Sequence, residues 1–259
     1  MSTNTVAVDG PVPAQPTPAA LAELAPAGTL RVALNFGNPI LASRHPSTGE
    51  PQGVSIDLSR ELARRLGLPL EFVRYETAGK VVEGLKSGAW DVAYLAIDPV
   101  RAAEIEYSAA YVLIEGAYLV TQGSPIHGNA EVDRDGVRVV VGAGSAYDLF
   151  LTRELKQATM VRAASSQAVS DLFMAQKLEV AAGVKQQLEA DAQRIPGLRL
   201  LDGRFMVIHQ AIGTPKGRHD AAAYLREFVE AMKASGFVAR ALLRNGIEGA
   251  SVAPAAESR

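Results

Sequence analysis

The chain contains no cysteine, which removes disulfides, thiol nucleophiles and thiolate metal sites from consideration. It also lacks any run of about 18 apolar residues, the length that spans a bilayer. Charge of one sign is missing too. Lys and Arg number 26 against 28 Asp and Glu, for a formal net charge of −2, and no basic cluster exceeds a few residues, so nucleic acid is not an expected partner. The histidines show neither an HExxH spacing nor a cluster with acids, so no metal or other cofactor is expected. What remains is ordinary for a folded chain: 48% hydrophobic and 21% charged residues, enough to build a core. At 259 residues the chain can form one large domain or two smaller ones.

A secretory signal needs a basic start followed by a continuous apolar stretch. Residues 1–28 hold no Lys or Arg, and their Pro- and Ala-rich composition reads as a disordered tail. Two compartments stay open on this reading, the cytoplasm and, with a leader already removed, the periplasm.

From Leu30 a regular pattern begins. Leu30 to Leu34 is an apolar, β-branched run of strand type. Gly53 to Leu58 leads into a helix through Leu66, where Leu58, Leu62, Ala63 and Leu66 recur at three-to-four spacing before Gly67. Strands over Leu70–Tyr75 and Asp91–Leu95 flank a helix over Lys80–Ser87, the alternation of βαβ units and a parallel sheet. After a strand over Glu115–Thr121, a second α/β series runs from Val137 to Leu201. It comprises strands at 137–141, 159–162, 179–182 and 198–201 and helices at 146–155, 167–176 and 185–192. A strand over Val207–Gly213 and helices over Ala221–Lys233 and Phe237–Arg244 follow. These last elements need a partner, so the chain is expected to return to the first lobe. That gives crossings near 118–123 and 203–209, with a ligand cleft between the lobes.

These segments resemble, in order and spacing, the family-3 extracellular solute-binding proteins of ABC importers. Leu30-Arg31-Val32-Ala33 and Gly53-Val54-Ser55-Ile56-Asp57-Leu58 resemble that family's opening segments. Lys86-Ser87-Gly88-Ala89-Trp90-Asp91-Val92 is similar to its approach to the third strand. Asp98-Pro99-Val100-Arg101-Ala102 with Glu106-Tyr107-Ser108-Ala109-Ala110-Tyr111 looks like its arginine motif and the stretch after it. Leu119-Val120 with Gly123-Ser124-Pro125-Ile126 resembles its first hinge strand. The likeness covers about Leu30 to Gly246. It implies an α/β, type II periplasmic-binding-protein fold: two α/β lobes joined by two hinge crossovers. The expected division is lobe 1 over 29–120, lobe 2 over 121–206, a return to lobe 1 over 207–248 and a C-terminal tail over 249–259. The resemblance further implies a Venus-flytrap binder of a small carboxylate-bearing solute, amino acid or organic acid. Such a protein would be a monomer, would lie in the periplasm and would serve an ABC permease.

Arg101 follows the third strand, where open α/β sheets hold ligands, and a guanidinium matches a carboxylate bidentately. In amino-acid-binding members the matching arginine grips the α-carboxylate. Gly142-Ala143-Gly144-Ser145-Ala146 joins a strand to a helix, whose N-terminal amides and serine hydroxyl suit an anion. The resemblance puts the second half of the carboxylate clamp at Ser145 and Ala146. Phe36, Asn38, Ala96, Asp98, Glu115 and Val184 complete the expected site. Val184 stands where amino-acid-specific members usually carry an Asp for the α-ammonium, and Glu115 is the one candidate to replace that charge. Asn38 and Leu41 stand where the family usually shows aromatic residues. The Asp91–Arg101 interval is two residues shorter than usual. These departures favour a carboxylate without an α-amino group, or an unusual amino acid.

Two other function classes share the scaffold. Cyclohexadienyl dehydratases resemble it and need a general acid, for which Glu115, Asp98, Lys185 and His209 are the candidates; His209 reads first as an ordinary strand residue. A non-transporting, cytoplasmic ligand sensor is the other. Trp90, Tyr94, Tyr107, Tyr111 and Tyr118 read as core packing rather than as a cation cage, with Tyr118 alone placed to line the cleft.

Overall fold

The computed structural model describes residues 15–257. The first lobe is built from α1 (Pro18–Leu24), β1 (Leu30–Asn35), the short β2 (Ser43–Arg44) and β3 (Pro51–Gln52), α2 (Val54–Leu66), β4 (Leu70–Tyr75), α3 (Ala78–Lys86) and β5 (Val92–Ala96). The 17-residue β6 (Ile105–Thr121) then runs into the second lobe. That lobe holds β7 (Arg138–Gly142), α4 (Ala146–Glu154), β8 (Thr159–Ala163), α5 (Val169–Ala175), β9 (Val180–Val184), α6 (Lys185–Arg194) and β10 (Leu198–Leu200). The chain comes back through β11 (Met206–Pro215), α7 (His219–Ala234), α8 (Phe237–Arg244) and β12 (Ser251–Val252).

The strands join in the order β4-β1-β5-β11-β6-β9-β7-β8. In lobe 1, β1 pairs in parallel with β4 and β5, and β11 runs antiparallel between β5 and β6. In lobe 2, β7 is parallel to β8 and β9, and β9 is antiparallel to the far half of β6. Strands buried on both faces explain the continuous apolar runs. On β7, Val139 and Val141 join one apolar cluster while Val140 joins another. The first of these clusters crosses between the lobes, from Leu34 and Tyr94 through Tyr118 to Val139 and Tyr147.

The first crossing lies inside β6. Met206 of β11 pairs with Gly116, and Gly116 in turn pairs with Val184 of β9, so the lobes meet at that residue. A Cβ at Gly116 would sit 2.7 Å from Met206 Cγ, so the close approach of the two crossovers requires a glycine.

Both expected tails are partly structured. Within the 1–28 segment, residues 1–14 lie outside the described residues, but α1 is a capped helix. Thr17 Oγ1 accepts from Ala20 N at 3.0 Å, and Pro18 occupies the first turn, where its missing N–H costs nothing. Ala20 and Leu24 are buried in the lobe 1 core. Arg218 donates to Glu23 O at 2.7 Å, and Glu23 accepts from Ala221 N at 2.8 Å. At the other end, β12 pairs with Val112 and Leu113 of β6 and covers that edge. In each case tertiary pairing orders a segment whose composition alone promises little.

Candidate functional site

A cavity lies between the lobes, at the carboxyl ends of β1 and β5 on one side and of β7 and β9 on the other. Asn35, Gly37, Asn38, Thr77, Ala78, Ala96 and Arg101 form its first wall. Ala143, Ser145, Ala146, Tyr147, Ser166 and Val184 form the second, and Ile208 and Gln210 close it from β11. The space open to the centre of a water-sized sphere is about 40 Å³, room for a few waters or one compact solute.

Arg101 is the centre of the site. It opens a short 3-10 turn after β5 and is only 3% exposed. Its Nη1 donates to Ala96 O at 3.1 Å and its Nη2 to Gly144 O, across the cleft, at 2.8 Å. Two of five guanidinium donors are thus engaged, both by neutral carbonyls. No carboxylate among the described residues lies within ion-pair distance of it. Burial pulls the guanidinium below its ordinary pKa, and Asp98 and Tyr107 offset that only in part. The Tyr107 phenol, itself buried near Arg101, is pushed up to about 12.

The opposing turn is organised around the start of α4. Gly144 has φ +72, and a Cβ there would lie 3.1 Å from Gly79 Cα in the other lobe, so a glycine is needed for both conformation and closure. Asp148 accepts from Gly144 N at 2.8 Å, and Ser145 Oγ caps the helix by accepting from Asp148 N at 3.0 Å. The amides of Ala146 and Tyr147 have no partner among the described residues, and the Ser145 hydroxyl lies beside the Tyr147 phenol. These donors face the same cavity as Arg101, the arrangement a helix N-terminus offers an anion.

The lobes are shut in this structure. Besides the Arg101–Gly144 bond, Arg153 of α4 pairs with Asp98 at 2.9 Å, and Gln167 donates to Phe36 O at 2.9 Å.

Of the residues expected from sequence, Arg101, Ser145, Ala146, Asn38, Ala96 and Val184 come together around the cavity. Phe36, Asp98 and Glu115 do not line it. The Phe36 ring is buried beneath the Arg44 guanidinium at 4.1 Å. Asp98 is taken up by Val100 N at 2.8 Å and by Arg153. Glu115 lies at the crossover, paired with Arg204 at 2.6 Å and Lys185 at 3.2 Å. Tyr118 stacks on Phe205 at 4.3 Å in the core instead of lining the cleft. Trp90, Tyr94 and Tyr111 are buried.

Sequence reading missed Gln210, Tyr147, Thr77 and Ser166. For Gln210 a signal existed: on β11 a polar residue occupies the inward, period-2 position between Ile208 and Ile212, while His209 faces solvent. The others are set by which loops meet and leave no local pattern.

Comparison with known proteins fits this geometry. Residues 30–244 match the family of bacterial extracellular solute-binding proteins, family 3. No curated protein matches the chain. Among solved structures, an ancestral amino acid-binding protein, a precursor of cyclohexadienyl dehydratase, is similar at 20% identity. Its TM-score is 0.72, over 88% of this chain and 99% of that one. The solute receptor for L-cysteine of Neisseria gonorrhoeae is similar at 22% identity, with a TM-score of 0.74 over 87% and 92% of the two chains. A histidine kinase sensor domain shares the fold at 17% identity, with a TM-score of 0.74 over 87% and 98%. Together with the two lobes, the two crossovers and the cleft between them, the match over 30–244 means that this chain belongs to the bacterial extracellular solute-binding proteins, family 3.

Proposed function

We propose that the protein binds a small carboxylate-bearing solute in the inter-lobe cavity and serves as the receptor of an ABC-type importer, outside the cytoplasmic membrane. The observation that carries this reading is Arg101, a buried guanidinium held by two carbonyls and no carboxylate. A buried charge needs compensation, and a ligand carboxylate supplies it. Arg101 offers its remaining donors from one lobe, while Ser145 and the free amides of Ala146 and Tyr147 approach from the other. Because the two halves belong to different lobes, the ligand's binding energy favours closure, which is how hinge-bending receptors couple binding to shape.

The dehydratase reading is weaker. Glu115, Asp98, Lys185 and His209 all stand outside the cavity lining, and the lining residues include no acid, imidazole or amine to protonate a leaving hydroxyl.

Titration calorimetry with a panel of small carboxylates tests the proposal. Wild-type protein is expected to bind at least one member, and Arg101→Met to lose roughly a hundredfold or more in affinity, the cost of an unpaired charge in a desolvated pair. Equal affinity of Arg101→Met and wild type would sink it.

A further inference from the structure

Among the described residues, the cavity lining is charged at one place only. Arg101 is the single ionised side chain of its lining, and the acids on the elements around it are committed elsewhere. Asp98 pairs with Arg153, Asp148 with Arg162 at 3.0 Å, and Glu115 with Arg204 and Lys185 at the crossover. The end of β9, facing the cavity, is Val184.

A small chamber of about 10 Å³ adjoins the cavity, sharing Asn35, Asn38 and Gln210 with it and adding Ser55 and Tyr94. Arg101 takes no part in it. Leu41 supplies an apolar patch, Asn35 accepts from Gly37 N and Ser55 meets the Tyr111 hydroxyl, and the remaining walls are neutral, polar and short of partners. Asn38 is 9% exposed and its Oδ1 has no hydrogen-bond partner; Tyr94 is 3% exposed and its hydroxyl has none either. Gln210 is 6% exposed, and its amide bonds to no described residue. Polar groups this deeply buried are normally satisfied, and amides and hydroxyls satisfy one another or a neutral ligand group without any counter-charge.

We infer that Asn38, Gln210 and Tyr94 form a neutral polar subsite, selecting a short carboxylic acid with an uncharged hydroxyl, keto or carboxamide group over an amino acid. The inference rests on the proposed carboxylate site. An α-ammonium entering here would lose its water in a space whose one neighbouring charge is a cation, with no protein carboxylate to meet it. A hydroxyl or carbonyl at the same place donates to or accepts from the amides. The α-hydroxy or α-keto acid carries one net negative charge against the one positive charge of Arg101, whereas the amino acid is a zwitterion with half its charge uncompensated.

Matched pairs give the test: glycolate against glycine, L-lactate and pyruvate against L-alanine, titrated by calorimetry into the wild-type protein. The acids are expected to bind about a hundredfold more tightly than the amino acids, the scale of a like-charge penalty in a desolvated site. Gln210→Glu and, as an independent check on folding and position, Asn38→Asp each place a carboxylate in the subsite. Either is expected to shrink or reverse the preference. Tighter binding of the amino acids to wild type overturns this inference and leaves the carboxylate site standing. Failure of every acid and amino acid to bind overturns both. An unchanged preference in both folded variants shows that these amides do not set the selectivity.

Discussion

The two ends of β5 hold buried charges of opposite meaning. Just before the strand, Asp91 is fully buried and saturated. Arg31 grips it through Nε and Nη2 at 2.8 and 2.9 Å, and Arg218 adds a third bond at 2.9 Å. Just after the strand, Arg101 is nearly as buried but meets only carbonyl oxygens. The first charge ties β1, β5 and the start of α7 together and has nothing left to offer. The second retains donors and an unbalanced charge, and it faces a cavity. In this molecule the paired buried charge is architecture, and the unpaired one faces the cavity.

The sharpest way to break that comparison is at Asp91. Asp91→Ala strands two guanidinium groups, so urea unfolding is expected to show a loss of about 3–5 kcal/mol. A loss below about 1 kcal/mol would put the two ends of β5 on the same footing. Arg101→Met removes an uncompensated cation instead, and the ligand-free protein is expected to lose no more than about 1 kcal/mol while losing its ligand-induced rise in Tm. Ser145→Ala removes the cap of α4, at a stability cost of about 1 kcal/mol, with weaker carboxylate binding by calorimetry.

The smallest effect belongs to Glu115, a half-buried counterpart to both. Arg204, and after it Lys185, hold its carboxyl below the usual range. A lowered folded-state pKa stabilises above the unfolded value of about 4.3 and loses that contribution as pH falls through the folded value. Glu115→Gln is therefore expected to cost less than about 1 kcal/mol near neutral pH, with the difference from wild type vanishing in acid. A difference that persists or grows in acid denaturation would assign Glu115 a role beyond this pairing.

Much of the fold was legible because it rests on local periodicity. The helix through Leu58, Leu62 and Leu66, the apolar runs of β1 and β7 and the return of the chain after Leu201 follow from spacing and from the need to bury apolar faces. The two crossings implied the cleft, and the family's segments added the carboxylate-gripping role of its arginine. The misses have a common cause. Helix α1 and strand β12 form on partners far away in sequence, α7 and β6. Glu115 sits on the hinge strand as expected, yet two basic residues from other elements draw it away from the cleft. Phe36 is in the right loop, but its ring turns into the core beneath Arg44 and leaves only its carbonyl to the other lobe.

The amino-acid sequence by itself determined the two α/β series, the positions of Arg101 and of the Ser145 turn, and the valine at 184, because each depends on neighbours within a turn or two of chain. Only the tertiary structure decided which charges are neutralised. Asp91, Asp98, Asp148 and Glu115 each find a cation from another element, Arg101 finds no carboxylate among the described residues, and Asn38, Tyr94 and Gln210 gather around a chamber that adjoins its cavity. Electrostatic pairing acts over a few ångströms in space, and no spacing along the chain encodes it.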